Sequence, residues 1–96
     1  MSKKAALSTE LCEALRIVLC EARKEAGLSL GEVAALSGLN RQAITFIERG
    51  ERRPTADTFV HLAIALGLRP SEAWARAEAV ISAKRWKKLL AKPKAG

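Results

Sequence analysis

A chain of 96 residues, 49% of them apolar and 28% charged, has the material for one small hydrophobic core, and no second domain is expected. Two cysteines and one histidine are too few ligands for a zinc site, and no apolar run reaches the length that crosses a bilayer. The net charge of +7 is unevenly placed: residues 1–83 hold eleven Lys and Arg against all ten Asp and Glu, whereas residues 84–96 hold six Lys and Arg and no acid.

Helical periodicity dominates, and no alternating strand pattern of useful length appears. Residues 1–8 read as a disordered basic arm without the apolar core of a signal peptide, so a cytoplasmic protein is expected. A first helix is predicted over Thr9–Ala26, with Leu11, Leu15, Val18, Leu19, Ala22 and Ala26 on its inner face and Ile17 and Cys20 on its outer side. Gly27 ends it. Cys12 and Cys20 lie about 12 Å apart along that helix, too far for a disulfide, and are read as free thiols.

The segment that follows, LSLGEVAALSGLNRQAITFIERGERRP, is the most informative in the chain. Ser29 is placed to cap a helix over Leu30–Ser37 whose inward residues are Val33, Ala34 and Leu36. Gly38 supplies the positive φ that a sharp corner between two helices requires, and the small Ala34 lets the next helix cross closely. Asn40 caps a second helix, Arg41–Glu48, with Ile44 and Ile47 turned inward. Its outer face is left with Arg41, Gln42, Thr45 and Phe46. Side chains of the first three kinds read base edges in a major groove. Phe46 has two readings, contact with a thymine methyl or packing on the neighbouring helix.

Gly50–Pro54 reads as a turn in which Arg52 and Arg53, near Arg41 and Arg49, are either a solvated surface or phosphate ligands. Thr55 caps a fourth helix with Phe59, Leu62, Ala63 and Leu66 inward, and its His61 is expected to be a half-buried structural residue. Pro70 suits the first position of a fifth helix reaching to about Leu90, but Trp86 and Leu90 fall out of phase with Trp74, Ala77 and Ile81. A break or change of partner near Ser82 is therefore predicted. Ser29, Asp57 and His61 carry the letters of a hydrolase triad, yet no nucleophile elbow or phosphate loop accompanies them, and neither catalysis nor a cofactor is expected.

Over roughly residues 15–75 the chain resembles the xenobiotic-response-element family of helix-turn-helix regulators, which includes the phage Cro and repressor DNA-binding domains. The resemblance is carried by Arg23 before Gly27, the Leu28-Ser29 helix start, the Ala34 and Gly38 pair, Glu48-Arg49-Gly50, Pro54, and the stretch from Leu62-Ala63 to Leu66-Gly67. It implies an all-α, five-helix, lambda-repressor-like domain over residues 9–83, extended at 84–96 by a basic helix or tail. It also implies a partly buried ion pair between Arg23 and Glu48, with Arg23 offering spare donors to a phosphate. Leu30 stands where the family usually has Gln, so the backbone brace that Gln provides is not expected of it.

Double-stranded DNA is thus the expected partner, with Arg41, Gln42, Thr45 and Phe46 on the bases and Arg23, Ser29, Asn40, Arg49, Arg52 and Arg53 on the backbone. A single motif of this kind reads few base pairs, so a homodimer is expected, with Val80, Ile81, Trp86, Leu89 and Leu90 as candidate interface residues. The competing account has Trp74 and Ile81 completing the monomer core. The alternative function is an antitoxin or interaction module whose helix-turn-helix surface binds a toxin or a polymerase subunit. A third idea gives the tail KRWKKLLAKPK to acidic membranes, though it is too short for firm anchoring.

Overall fold

The computed structural model describes residues 3–90, leaving aside the side chains of residues 3–5 and of Leu89. Helices follow in the order α1 (Lys3–Glu25), α2 (Leu30–Ser37), α3 (Arg41–Glu48), α4 (Ala56–Ala65), α5 (Pro70–Ala79) and α6 (Ala83–Leu89), with no strand among the described residues. The core gathers Leu15, Val18 and Leu19 of α1, Val33 of α2, Ile44 and Ile47 of α3, and Phe59, Leu62 and Ala63 of α4. α5 packs on α1 and α4 and buries Ala73 and Ala77 completely, small side chains that let helices approach closely. Trp74 lies against Phe59 with ring centroids 5.6 Å apart and adds aromatic contact to the area it buries.

α1 starts at Lys3, so residues 3–8, read from the sequence as an arm, are its first turns. Ala5, Ala6 and Leu7 are among the strongest helix formers, and that preference carries the helix back into the segment. At its other end Leu28 N donates to Arg23 O at 3.1 Å and Gly27 N to Lys24 O at 3.0 Å, a Schellman closure that turns the chain toward α2.

α2 and α3 have the predicted limits. Ser29 Oγ accepts from Glu32 N and Ser29 N donates to Glu32 Oε1, both at 3.0 Å, so the α2 N-terminus is closed by a capping box. The Ser29 backbone N–H first, and then the Ser29 side chain, hold the Glu32 carboxyl below the usual carboxylate range. At the corner Gly38 sits at φ +74° with its N–H on Ala34 O. The buried Ser37 hydroxyl accepts from Leu39 N at 3.2 Å. Leu36, expected inward, is 62% exposed, because Val33, Ala34 and Ser37 define the inner face and Leu36 lies about a third of a turn from its centre. His61 is also more exposed than expected and pairs with Asp57 one turn earlier at 3.5 Å, since it stands opposite Phe59, Leu62 and Ala63 on α4.

The break near Ser82 is present. α5 stops at Ala79, Ser82 Oγ accepts from Arg85 N at 3.2 Å, and the basic extension takes the helical one of its two expected forms, a sixth helix among the described residues. Arg85 pairs with Glu10 of α1, and Trp86 Nε1 donates to Glu78 O at 3.2 Å. Ile81 is buried within the protomer, while Val80 and Leu90 are 68% and 71% exposed and Trp86 is half-buried. The side chain of Leu89 and the whole of 91–96, with Lys92 and Lys94, lie outside the described residues. Among the described residues no helix is long and apolar enough to cross a membrane.

Candidate nucleic-acid interface

α3 is built to hold one face still and show the other. Asn40 Oδ1 accepts from Gln42 N at 2.7 Å and fixes the first turn, while Ile44 and Ile47, 1% and 2% exposed, lock the helix into the core. Arg41 and Gln42 are exposed at its start, and Thr45 and Phe46 are half-buried one turn further on. The Thr45 hydroxyl donates to Arg41 O at 3.1 Å, which commits its proton and leaves its lone pairs and methyl outward. Both readings of Phe46 keep a share. Its ring is half-covered, and the Arg52 guanidinium stands 5.5 Å from its centroid, a cation–π stack that places a charge beside the α3 surface.

The ion pair implied by the resemblance is present. Arg23 Nε donates to Glu48 Oε2 at 2.7 Å and Arg23 Nη2 to Glu48 Oε1 at 3.0 Å, the side chains being 16% and 14% exposed. Arg23 Nη1 donates to Leu28 O at 3.0 Å, so three of the five guanidinium N–H groups are engaged within the protein. Cys20, placed by periodicity on the outer side of α1, instead offers its thiol to Glu48 Oε1 at 3.4 Å. Burial first, and then the bond to Glu48, push that thiol up from its ordinary range, so it is a structural donor and a poor nucleophile.

Arg16 is the residue that sequence reasoning missed. Its Nη1 donates to Glu48 O at 2.9 Å, at the C-terminal end of α3 where a cation complements the helix dipole, and it also pairs with Glu13. Arg16, Cys20 and Arg23 recur at i, i+4 and i+7, a stripe on α1 that faces the end of α3, and that spacing was the available signal. Gly50 lies at φ +77°, and a Cβ there would stand 2.9 Å from Arg16 Nε. Gly50→Ala is therefore expected to cost about 1–3 kcal/mol, read as a lowered midpoint of thermal unfolding. Placing it in an Arg16→Ala background should recover the steric part and leave the backbone strain; a midpoint unchanged by Gly50→Ala alone would refute the account.

Arg49, Arg52 and Arg53 are all exposed at the end of α3 and in the turn after it, and Arg53 Nη2 reaches Thr9 Oγ1 at 3.4 Å. Arg52 and Arg53 face no carboxylate in any ion pair among the described residues. Ser29 and Asn40 are both exposed and both serve as caps. The result is a contiguous stretch of sequence, 40–53, whose outward groups are mostly polar or cationic, Phe46 and the exposed carboxylate of Glu51 apart, and whose inward groups are anchored.

The chain is similar to known proteins in sequence and in fold. The HTH-type transcriptional regulator y4dJ of Sinorhizobium fredii is 48% identical over 46 residues, which cover 48% of this chain and 60% of that protein. A crystal structure of the clp gene regulator ClgR from Corynebacterium glutamicum superposes with a TM-score of 0.68 at 25% identity, over 76% of this chain and 95% of the other. A second ClgR structure gives a TM-score of 0.69 at 24% identity, over 83% of this chain and 85% of the other, and speaks for the fold alone. Residues 21–72, from the last turns of α1 to the start of α5, match the helix-turn-helix family HTH_3, and with more than half of its length so matched the chain belongs to that family.

Proposed function

We propose that the protein is a sequence-specific regulator of transcription that binds double-stranded DNA with α3 in the major groove. The observation that carries this is the fixed, outward set of Arg41, Gln42, Thr45 and Phe46 on a helix anchored at both ends, by the Asn40 cap and by Glu48 held between Arg16 and Arg23. Arg41 and Gln42 are the base-reading pair, since guanidinium and amide groups meet guanine and adenine edges bidentately. Arg49, Arg52 and Arg53 meet phosphates on the flank, and the N-termini of α2 and α3 at Ser29 and Asn40 present backbone N–H groups to the sugar-phosphate chain. Arg23 keeps three of its five N–H donors on Glu48 and Leu28 and offers the remaining two to a phosphate.

The protein acts as a homodimer on a pseudo-palindromic operator. Support comes from Val80 and Leu90, exposed apolar residues beside the half-buried Trp86, which offer a surface on the α5–α6 side for a second copy. Ile81 belongs to the protomer interior instead. Duplexes selected from a random pool should share an inverted repeat with half-site centres about 10–11 base pairs, or a multiple, apart. Footprinting of a single asymmetric site filled by a monomer would overturn the dimer, and recovery of no enriched sequence would overturn the regulator.

A further inference from the structure

A cleft of about 370 Å³ lies between the N-terminal half of α1, the turn that follows α3, and α5. Its volume falls in the range of small-molecule sites, about 300–1,000 Å³. Leu15, Ile47, Phe59 and Trp74 contribute apolar walls, while Arg16, Arg52 and Arg53 line it with charge. Glu13 is also there, but it is tied to Arg16, whose bond holds its carboxyl below the usual range. Arg52 and Arg53 remain without a carboxylate partner, and Arg16 Nε is buried with no hydrogen-bond acceptor among the described residues.

We infer that this cleft binds an amphipathic organic anion, a carboxylate or sulfonate on an aromatic or aliphatic body. A DNA phosphate satisfies the arginines and leaves the apolar walls wet; a neutral apolar ligand does the reverse. Segment 91–96, with Lys92 and Lys94, has the same sign as the rim and is a poor occupant. The anion's head sits among Arg16, Arg52 and Arg53, and its body lies against Phe59 and Trp74. Because Arg52 and Arg53 are also the phosphate ligands of the proposed function, and only to that extent resting on it, occupancy draws them from the DNA backbone. Affinity for DNA then falls without a change of sequence preference, and the slope of log K against log salt shrinks by about 0.9 for each contact withdrawn.

The test uses the full chain carrying Trp86→Phe, which leaves Trp74 as the sole tryptophan. Titration with 4-phenylbutanoate is expected to change Trp74 emission saturably. Affinity should fall about tenfold for 4-phenylbutanamide, and by a similar factor for the acid in an Arg52→Gln/Arg53→Gln chain, since a charge-assisted contact is lost in each. Acetate, which has the charge but no body, should give no saturation. Cys12→Phe and Ala56→Phe each fill the cleft from a different wall and should abolish the response while helical circular dichroism is kept. The absence of saturation, equal binding of acid and amide, or undiminished binding in a folded cleft-filling variant would overturn the site. On a selected duplex, 4-phenylbutanoate should weaken binding of the unsubstituted chain and leave that of the Cys12→Phe and Ala56→Phe chains, with Trp86 retained, unchanged. Binding of the acid with DNA affinity intact would reject the coupling. Failure to bind any duplex would overturn the proposed function and leave the fluorescence result to decide the cleft.

Discussion

Glu48→Ala is expected to cost about 3 kcal/mol or more, because it strands the Arg23 guanidinium in a site that is only 16% exposed and removes the acceptor of the Cys20 thiol. The value lies toward the lower end of the roughly 3–5 kcal/mol range for breaking buried pairs, since some water reaches these side chains. For a domain of this size each kcal/mol is about 4–8 °C in the unfolding midpoint, so a drop of more than about 10 °C is expected by thermal melt at neutral pH. Glu48 is the harsher half of the pair to remove, because an arginine cannot shed its charge. Replacing both partners, Arg23→Met with Glu48→Leu, should recover most of the loss, as apolar packing of similar volume commonly matches a buried pair. A Glu48→Ala midpoint within about 2 °C of the parent would show that the pair is surface decoration.

Where an element's limits depended on local chemistry, the sequence was a sufficient guide. Ser29, Gly38, Asn40, Thr55 and Pro70 set the ends of α2, α3, α4 and α5 through caps and one positive φ, interactions that reach no further than a few residues. Phase loss after Ile81 likewise exposed the α5–α6 break. Legibility failed where a residue's partner came from another element. Cys20 looked outward on the periodicity of α1 alone, and only α3 packing behind it turns that stripe into an anchoring face. Ile81 stood between a dimer surface and the monomer core for the same reason, and Leu36 looked buried because an eight-residue helix has too few turns to define its inner face by pattern. The cleft is the extreme case. Its walls come from α1, α3, α4 and α5, and no run of sequence hints that they meet.

Gln42→Ala is expected to lose about 1–3 kcal/mol on the selected operator, or roughly 5- to 150-fold in affinity, with no loss on random duplex at the same salt. The substitution is clean in this fold. Asn40 caps the backbone N–H of residue 42, which alanine keeps, the side chain itself is exposed, and alanine is the better helix former. Stability should therefore hold while discrimination goes, and Arg41→Ala should behave alike at a different base pair, since only the carbonyl of residue 41 takes part in the bond to Thr45. Arg52→Ala is the contrast. It removes the proposed phosphate ligand and uncovers the Phe46 ring, so it should weaken operator and random DNA by similar factors and lower the salt slope by about 0.9. Specificity ratios at fixed salt separate the two kinds of contact, because a phosphate carries no sequence information directly whereas a base edge does. Equal losses on both duplexes for Gln42→Ala would mean that this side chain lies along the backbone, and that the groove is read by Thr45 and Phe46, about one turn further along α3.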